Sequence, residues 1–115
     1  MEDIKSIALD LVKVLDSKKG EKIELLDISE VSPIADYFAI ASANNQSQLL
    51  AMQDAVDEHM TKLGKNAKSI EGNKSSTWIL MDYEDIIVHL FTKEDREFYD
   101  IDRIWKDGKK VDINI

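Results

Sequence analysis

The pattern of apolar and polar residues is most informative at positions 71–91, EGNKSSTWILMDYEDIIVHLF. Between positions 77 and 82 the odd-numbered residues alternate with a different set of even-numbered residues, which predicts a strand with two different faces. Positions 86–91 are almost unbroken in apolar and β-branched residues, as in a strand that is buried on both faces. The short acidic segment between them, DYED, predicts a hairpin turn. We therefore expect an antiparallel pair of strands at the centre of one sheet.

Helical periodicity marks two longer segments of the chain. Apolar residues recur every three or four positions within residues 2–19 and 46–63, which predicts two amphipathic helices. Asn44-Asn45 offers an N-cap for the second helix, and Gly20 and Gly64 follow the two ends. Residues 94–105 predict a short third helix.

Strand patterns occupy three further segments, residues 22–28, 36–43 and 67–72. The resulting order, α-β-β-α-β-β-β-α, predicts an α/β (α+β) layer fold with a mixed sheet of about five strands packed by two main helices. The length of 115 residues favours one domain, which we assign to residues 1–107. Residues 108–115 are expected to form an edge strand or a disordered tail.

Composition restricts the possible functions. The chain has no cysteine, which excludes disulfides and thiolate metal sites and fits a reducing cytoplasm. Its net charge of −8 disfavours direct binding to nucleic acid, because phosphate contact needs clustered cations. Neither a signal peptide nor a membrane span is expected from the sequence pattern. We therefore expect a cytoplasmic protein whose partner is a basic protein surface.

The acidic hairpin turn is the first candidate for chemistry. Asp82, Glu84 and Asp85 lie close together in sequence, and paired carboxylates can hold magnesium or act in acid–base catalysis. A nucleotidyltransferase site, however, needs Gly-Ser at a helix start and D-x-D on the adjacent strand, and residues 41–44, ASAN, lack this glycine. The simpler interpretation is a polar turn without chemistry. We predict that the protein is not an enzyme and has no catalytic residue, metal or cofactor. The alternative is a nucleotidyltransferase-fold enzyme that uses a carboxylate-bound metal.

Aromatic residues point instead to a binding surface. Trp78 and Leu80 share one strand face, so they form an open apolar patch if the helices cover the opposite face. The alternative is that the C-terminal segment carrying Tyr99 and Trp105 folds over this patch. His89, within the buried strand, is expected to be hydrogen-bonded inside or at the edge of the core, with a partner surface as the alternative.

Several motifs, in their order and spacing, resemble the Iojap-related ribosomal silencing factors. The resemblance extends from about Asp27 to Asp107 and includes S-x-I-A-D-Y-F at positions 32–38 and Y-x-[LI]-[DE]-x-[LI]-W at positions 99–105. Glu84 replaces the glycine that is usual in the family, and Asn44-Asn45 replaces the commoner Gly/Ser start of the second helix. The central stretch contributes Glu71, Gly72, Trp78, Asp82, Asp85, Val88, His89, Phe91, Arg96, Phe98 and Tyr99.

This resemblance implies a nucleotidyltransferase-like core without the catalytic motif. It also implies a non-enzymatic factor that binds one protein of the large ribosomal subunit at the intersubunit face, blocks joining of the small subunit and represses translation when nutrients are short. Family members tend to form homodimers. We expect Trp78 and Tyr99 to anchor the contact and the nearby acids to face basic residues. The predicted partner-binding set is Asp36, Tyr37, Trp78, Leu80, Asp82, Asp85, His89 and Tyr99.

Overall fold

The structure is a computed structural model that describes residues 3–72, 76–99, 103 and 106–113, with the backbone alone at positions 98 and 99. The mixed α/β class is confirmed, although the described residues form six strands rather than about five, together with three helices. Most of the segment 100–105, where we expected the last helix to continue, lies outside the described residues. The elements are α1 Ile4–Ser17, β1 Glu21–Asp27, β2 Tyr37–Ala43, α2 Gln46–Lys62, β3 Ser69–Glu71, β4 Trp78–Asp82, β5 Ile86–Thr92, α3 Lys93–Tyr99 and β6 Lys109–Lys110.

The strands form one sheet in the order β3-β4-β5-β2-β1-β6. Strands β4 and β5 form the expected antiparallel hairpin, but the middle of the sheet is the parallel pair β5–β2. The sequence explains this placement, because β2 and β5 are apolar on both faces and are buried along almost their whole length. Strand β4 is buried on one face only and therefore lies nearer the edge.

Helices α1 and α2 cover the first face of the sheet. Leu11 and Leu15 of α1 and Met52 of α2 belong to one core cluster with the sheet residues Ile79 and Met81, and all five are fully buried. The part of β2 beneath the helices carries small side chains at alternate positions, Ala39, Ala41 and Ala43. None of the described helices is long and apolar enough to cross a membrane.

The second face of the sheet is covered over β1 and β2. The loop after β1 folds back and buries Ile28 and Ala35 against Phe38. Helix α3 is fixed on the same half of the face by Arg96, which is 3% exposed, donates a hydrogen bond to Ser42 Oγ over 3.0 Å and pairs with a Glu24 carboxylate oxygen 3.6 Å away. The guanidinium also donates to the carbonyl oxygen of Lys22. This network determines which half of the second face is covered.

One predicted helix end, the start of α2, is confirmed, whereas the end of α1 differs from the prediction. Asn45 is the N-cap of α2, since its Oδ1 accepts a hydrogen bond of 2.8 Å from the backbone N–H of Gln48. At the end of α1 the left-handed residue is Lys19, with φ 62°, and not Gly20. Gly20 is needed for close approach instead, because a Cβ there would lie 3.0 Å from the carbonyl oxygen of Leu15.

The C-terminal residues include a short edge strand. Lys109 and Lys110 pair with Asp27 and Leu26 of β1, and the backbone N–H of Val111 donates to the carbonyl oxygen of Leu25 over 2.9 Å. Of the two alternatives for the tail, the described residues fit the edge strand. The domain boundary at residue 107 stays a prediction.

Candidate partner-binding face

The hairpin register places Trp78 and Leu80 on the second face of the sheet. Their cross-strand partners are Phe91 and His89, and the alternate residue Ile79 is buried beneath the helices. The helices therefore cover the face of β4 that is opposite to Trp78 and Leu80. Trp78 is 39% exposed, while Leu80 is half-buried. The segment that was the alternative cover, with the Tyr99 side chain and Trp105, lies outside the described residues.

A groove lies beside Trp78 at the β3 edge of this face. It has a volume of about 310 Å³ and is lined by Glu71, Gly72, Ser76, Trp78 and Leu80. Glu71 is in register with Leu80, so its exposed carboxylate lies on the same face as the indole. Gly72 has φ 131°, and a Cβ there would lie 3.0 Å from the Ile79 side chain, so this turn requires glycine. Glu71 is not in the predicted partner-binding set, although it belongs to the E-G motif before Trp78 that contributed to the family resemblance.

His89 is enclosed by aromatic rings. It is 4% exposed, with the Phe38 ring edge-on at a centroid distance of 4.7 Å, the Phe91 ring stacked at 6.2 Å and the Trp78 ring at 6.3 Å. The expected burial is confirmed, but neither ring nitrogen has the expected hydrogen-bond partner among the described residues. Burial lowers the pKa of His89 to about 4, because the enclosed site disfavours the charged imidazolium. At neutral pH His89 therefore acts as a neutral aromatic support for the patch.

The predicted acidic residues lie at the opposite end of β4 from Trp78. Asp85 is exposed, and its carbonyl oxygen accepts the backbone N–H of Asp36 over 2.9 Å and that of Tyr37 over 3.1 Å. Asp82 is half-buried and accepts the backbone N–H of Glu84 over 2.8 Å. The two ends of the hairpin therefore carry different chemistry, an aromatic patch at one and carboxylates at the other.

The Tyr37 side chain lies away from Trp78, although its backbone N–H is bonded to Asp85. It packs against the helix-covered core, on the face of the sheet opposite to Trp78, and burial raises the pKa of its hydroxyl. The strand period explains this, because successive residues of β2 point to opposite faces and Phe38 takes the second face. The role of Tyr37 in partner binding stays a prediction, as does that of Tyr99.

Ser42 and Gln48, at the end of β2 and the start of α2, have structural roles in this fold. Ser42 accepts a hydrogen bond from Arg96, and the Gln48 side chain donates to the carbonyl oxygens of Lys18 and Lys19 over 3.1 and 2.9 Å. Gln48 therefore ties the end of α1 to the start of α2. Within the described ranges, no three His, Asp or Glu side chains gather where they could hold a metal ion. The arrangement of this face suits binding of another surface.

Comparison with known proteins identifies the family. The family model for the ribosomal silencing factor during starvation matches residues 1–115. The chain belongs to this family. It is 32% identical over 110 residues to the ribosomal silencing factor RsfS of Bacillus subtilis (strain 168), which covers 96% of this chain and 93% of that protein.

Two further relatives extend the family. The mouse protein named mitochondrial assembly of ribosomal large subunit protein 1 is 26% identical over 102 residues, which cover 83% of this chain and 43% of that protein. A crystal structure of a protein from Chromobacterium violaceum has a TM-score of 0.87 at 26% identity and covers 99% of this chain and 94% of that chain. The resemblance found in the sequence and the expected fold are both confirmed.

Family membership also gives meaning to the hairpin turn. Glu84 occupies the position where glycine is usual, and its φ of 70° lies in the left-handed region that glycine favours. The turn therefore holds Glu84 in a backbone conformation to which glycine is better suited.

Proposed function

We propose that the protein binds one protein of the large ribosomal subunit at the intersubunit face and blocks joining of the small subunit, which represses translation. The observation that carries the proposal is the exposed Trp78 beside Leu80 on the second face of the sheet, in a chain that belongs to the ribosomal silencing factor family. The name of the mouse relative, which refers to assembly of the ribosomal large subunit, supports the choice of subunit.

The proposed contact combines an aromatic anchor with acidic residues on the same protein. Tryptophan is among the residues that most often dominate protein interfaces, because it buries a large rigid surface. The net charge of −8 attracts a basic partner and disfavours direct contact with RNA phosphates. Asp82 and Asp85, at the other end of β4, supply charges at the rim of the contact.

The proposed mechanism is steric and needs no catalytic step. The described fold measures 35 × 31 × 27 Å, so a bound copy occupies substantial space between two subunits that must approach closely. We infer that the protein acts in the cytoplasm without a nucleotide, metal or other cofactor. We also propose that the free protein forms a homodimer through the Trp78 patch or through the outer edge of β3. The patch is apolar, and the outer edge of β3 has no strand partner in the described fold.

Sedimentation of a cell lysate that contains the tagged protein tests this function. We expect the protein to migrate with free large subunits, and not with small subunits or translating ribosomes. Light scattering of purified subunits should then show that the protein slows their association. Migration only at the top of the gradient, with no effect on subunit association, would contradict the proposal.

A matched pair of variants tests the site. Trp78→Ala should weaken binding to large subunits by about thirtyfold, as expected for a buried aromatic anchor. Leu63→Ala is the control, because Leu63 is 38% exposed, close to the 39% of Trp78, but lies at the end of α2 on the other side of the sheet. Circular dichroism first establishes that both variants are folded. If the folded Trp78→Ala protein binds as tightly as the parent, the contact lies elsewhere.

A further inference from the structure

We propose that the groove beside Trp78 binds one arginine or lysine side chain of the protein partner, with the Glu71 carboxylate as its counter-charge. This inference rests on the proposed function for the identity of the partner. It adds a charged residue, Glu71, at the aromatic end of the hairpin, where the predicted binding set contains none.

The shape of the groove fits a single long side chain. Its volume of about 310 Å³ lies at the lower end of ligand sites, which span roughly 300–1,000 Å³. Trp78 forms one wall with its exposed surface, and Leu80 supplies apolar surface beside it. Glu71 lines the groove from the neighbouring strand, in register with Leu80. An aromatic surface, an apolar surface and a carboxylate therefore meet in one groove.

These three groups match the three parts of a basic side chain. A guanidinium or ammonium group is attracted to the face of an indole, and tryptophan is the strongest aromatic partner for a cation. The methylene groups of the stem pack on apolar surface such as Leu80. The Glu71 carboxylate accepts charge-assisted hydrogen bonds from the head group. Arginine fits best, because its planar group stacks on the ring and also forms paired hydrogen bonds.

Glu71 is available for such a contact. Within the described part of the chain no cation pairs with it, whereas Glu24 and Glu58 have Arg96 and Lys62 as partners. Glu71 is exposed on a three-residue edge strand, and the described residues give its carboxylate no hydrogen bond. Among the described residues the carboxylate therefore has no structural partner, and it lies on the same face of the sheet as the Trp78 indole.

The groove is tested directly with N-acetyl-arginine amide and the protein labelled for NMR. We expect chemical-shift changes at the Trp78 indole N–H and the Leu80 methyl groups, with the Trp78 signal assigned from a Trp78→Phe variant. N-acetyl-citrulline amide, which has nearly the same shape without the charge, should produce less than a third of these changes. Glu71→Gln should abolish the difference between the two compounds, and Asp54→Asn, an exposed carboxylate on α2, should preserve it. Equal responses to both compounds in the parent protein would overturn the proposal.

Binding to purified large subunits provides the second measurement. Glu71→Gln should weaken binding about tenfold at low salt, equivalent to one charge-assisted contact, and the difference should shrink as salt screens the pair. Asp54→Asn makes the same change in net charge and should stay within about twofold of the parent. If the parent binds and Glu71→Gln binds equally well at low salt, the groove proposal fails while the proposed function stands. If the parent does not bind large subunits, the proposed function fails and the arginine amide result alone decides the groove.

Discussion

Mild acid should destabilise this protein through one residue, His89. In the folded state burial lowers the pKa of His89 to about 4, against a value of 6.5 for an unperturbed histidine. The unfolded chain therefore takes up a proton at His89 at a pH where the folded protein does not. Stability is fully present above pH 6.5 and is lost as the pH falls from 6.5 towards 4.

The size of the effect follows from the two pKa values. A difference of this size between the folded and unfolded states corresponds to about 3 kcal/mol across the whole window. Between pH 7 and pH 5 the expected loss is about 2 kcal/mol, or a decrease of about 8 °C in the melting temperature of a domain of this size. The lowered pKa values of Asp3 and Asp27 contribute only below pH 4, where those carboxylates take up protons. The window above pH 4.5 therefore isolates the histidine.

Urea unfolding at half-unit steps from pH 7.5 to 4.5 measures this dependence. His89→Phe is the matched variant, because a neutral ring of similar shape keeps the contacts with Phe38 and Phe91 and leaves His59 unchanged. We expect the free energy of unfolding of the variant to be nearly constant over this range relative to the parent. If parent and variant lose stability in parallel as the pH falls, His89 is not the group that takes up the proton, and the argument from burial is wrong.

Three further changes should alter the free energy of unfolding measured in urea. Glu84→Gly should stabilise by about 1 kcal/mol because φ is 70° there; a decrease would show that the turn is not strained. Arg96→Ala should cost about 3 kcal/mol because it leaves the buried Ser42 without its donor and removes the contacts with Glu24 and the Lys22 carbonyl oxygen; a cost below 1 kcal/mol would contradict this. Tyr83→Phe should cost about 1–2 kcal/mol through its 2.9 Å hydrogen bond to Asp57, whereas an unchanged value would rule out that contribution.

The sequence predicted the parts of the fold that depend on local periodicity. Alternation along β4 correctly placed Ile79 and Trp78 on opposite faces of the strand, because side chains of a strand point alternately to the two faces. The N-cap Asn45 could also be predicted from the sequence, because a side-chain oxygen just before a helix accepts a hydrogen bond from a backbone N–H of the first turn. Family resemblance then supplied the functional class, which periodicity cannot give.

Features that depend on contacts distant in sequence were not predictable in the same way. Glu71 lies on the same face of the sheet as the Trp78 indole only because β3 pairs with β4 in one particular register. The absence of a hydrogen bond to His89 among the described residues follows from three aromatic rings brought together by β2, β4 and β5. Arg96 reaches Ser42 from an element more than fifty positions later in the chain. Each case needs the sheet to be assembled first.

The parallel pairing of β2 with β5 determines when the fold can close during synthesis. Tyr37 pairs with Ile86, so β2, in the first half of the chain, can pair with β5 only after the second half has been synthesised. A nascent chain that ends after α2 leaves one edge of β2 open, with Phe38 and Ile40 on the face that later becomes buried. Open apolar strand edges favour aggregation. Closure of this long loop, and not formation of the local β4–β5 hairpin, should therefore limit the folding rate.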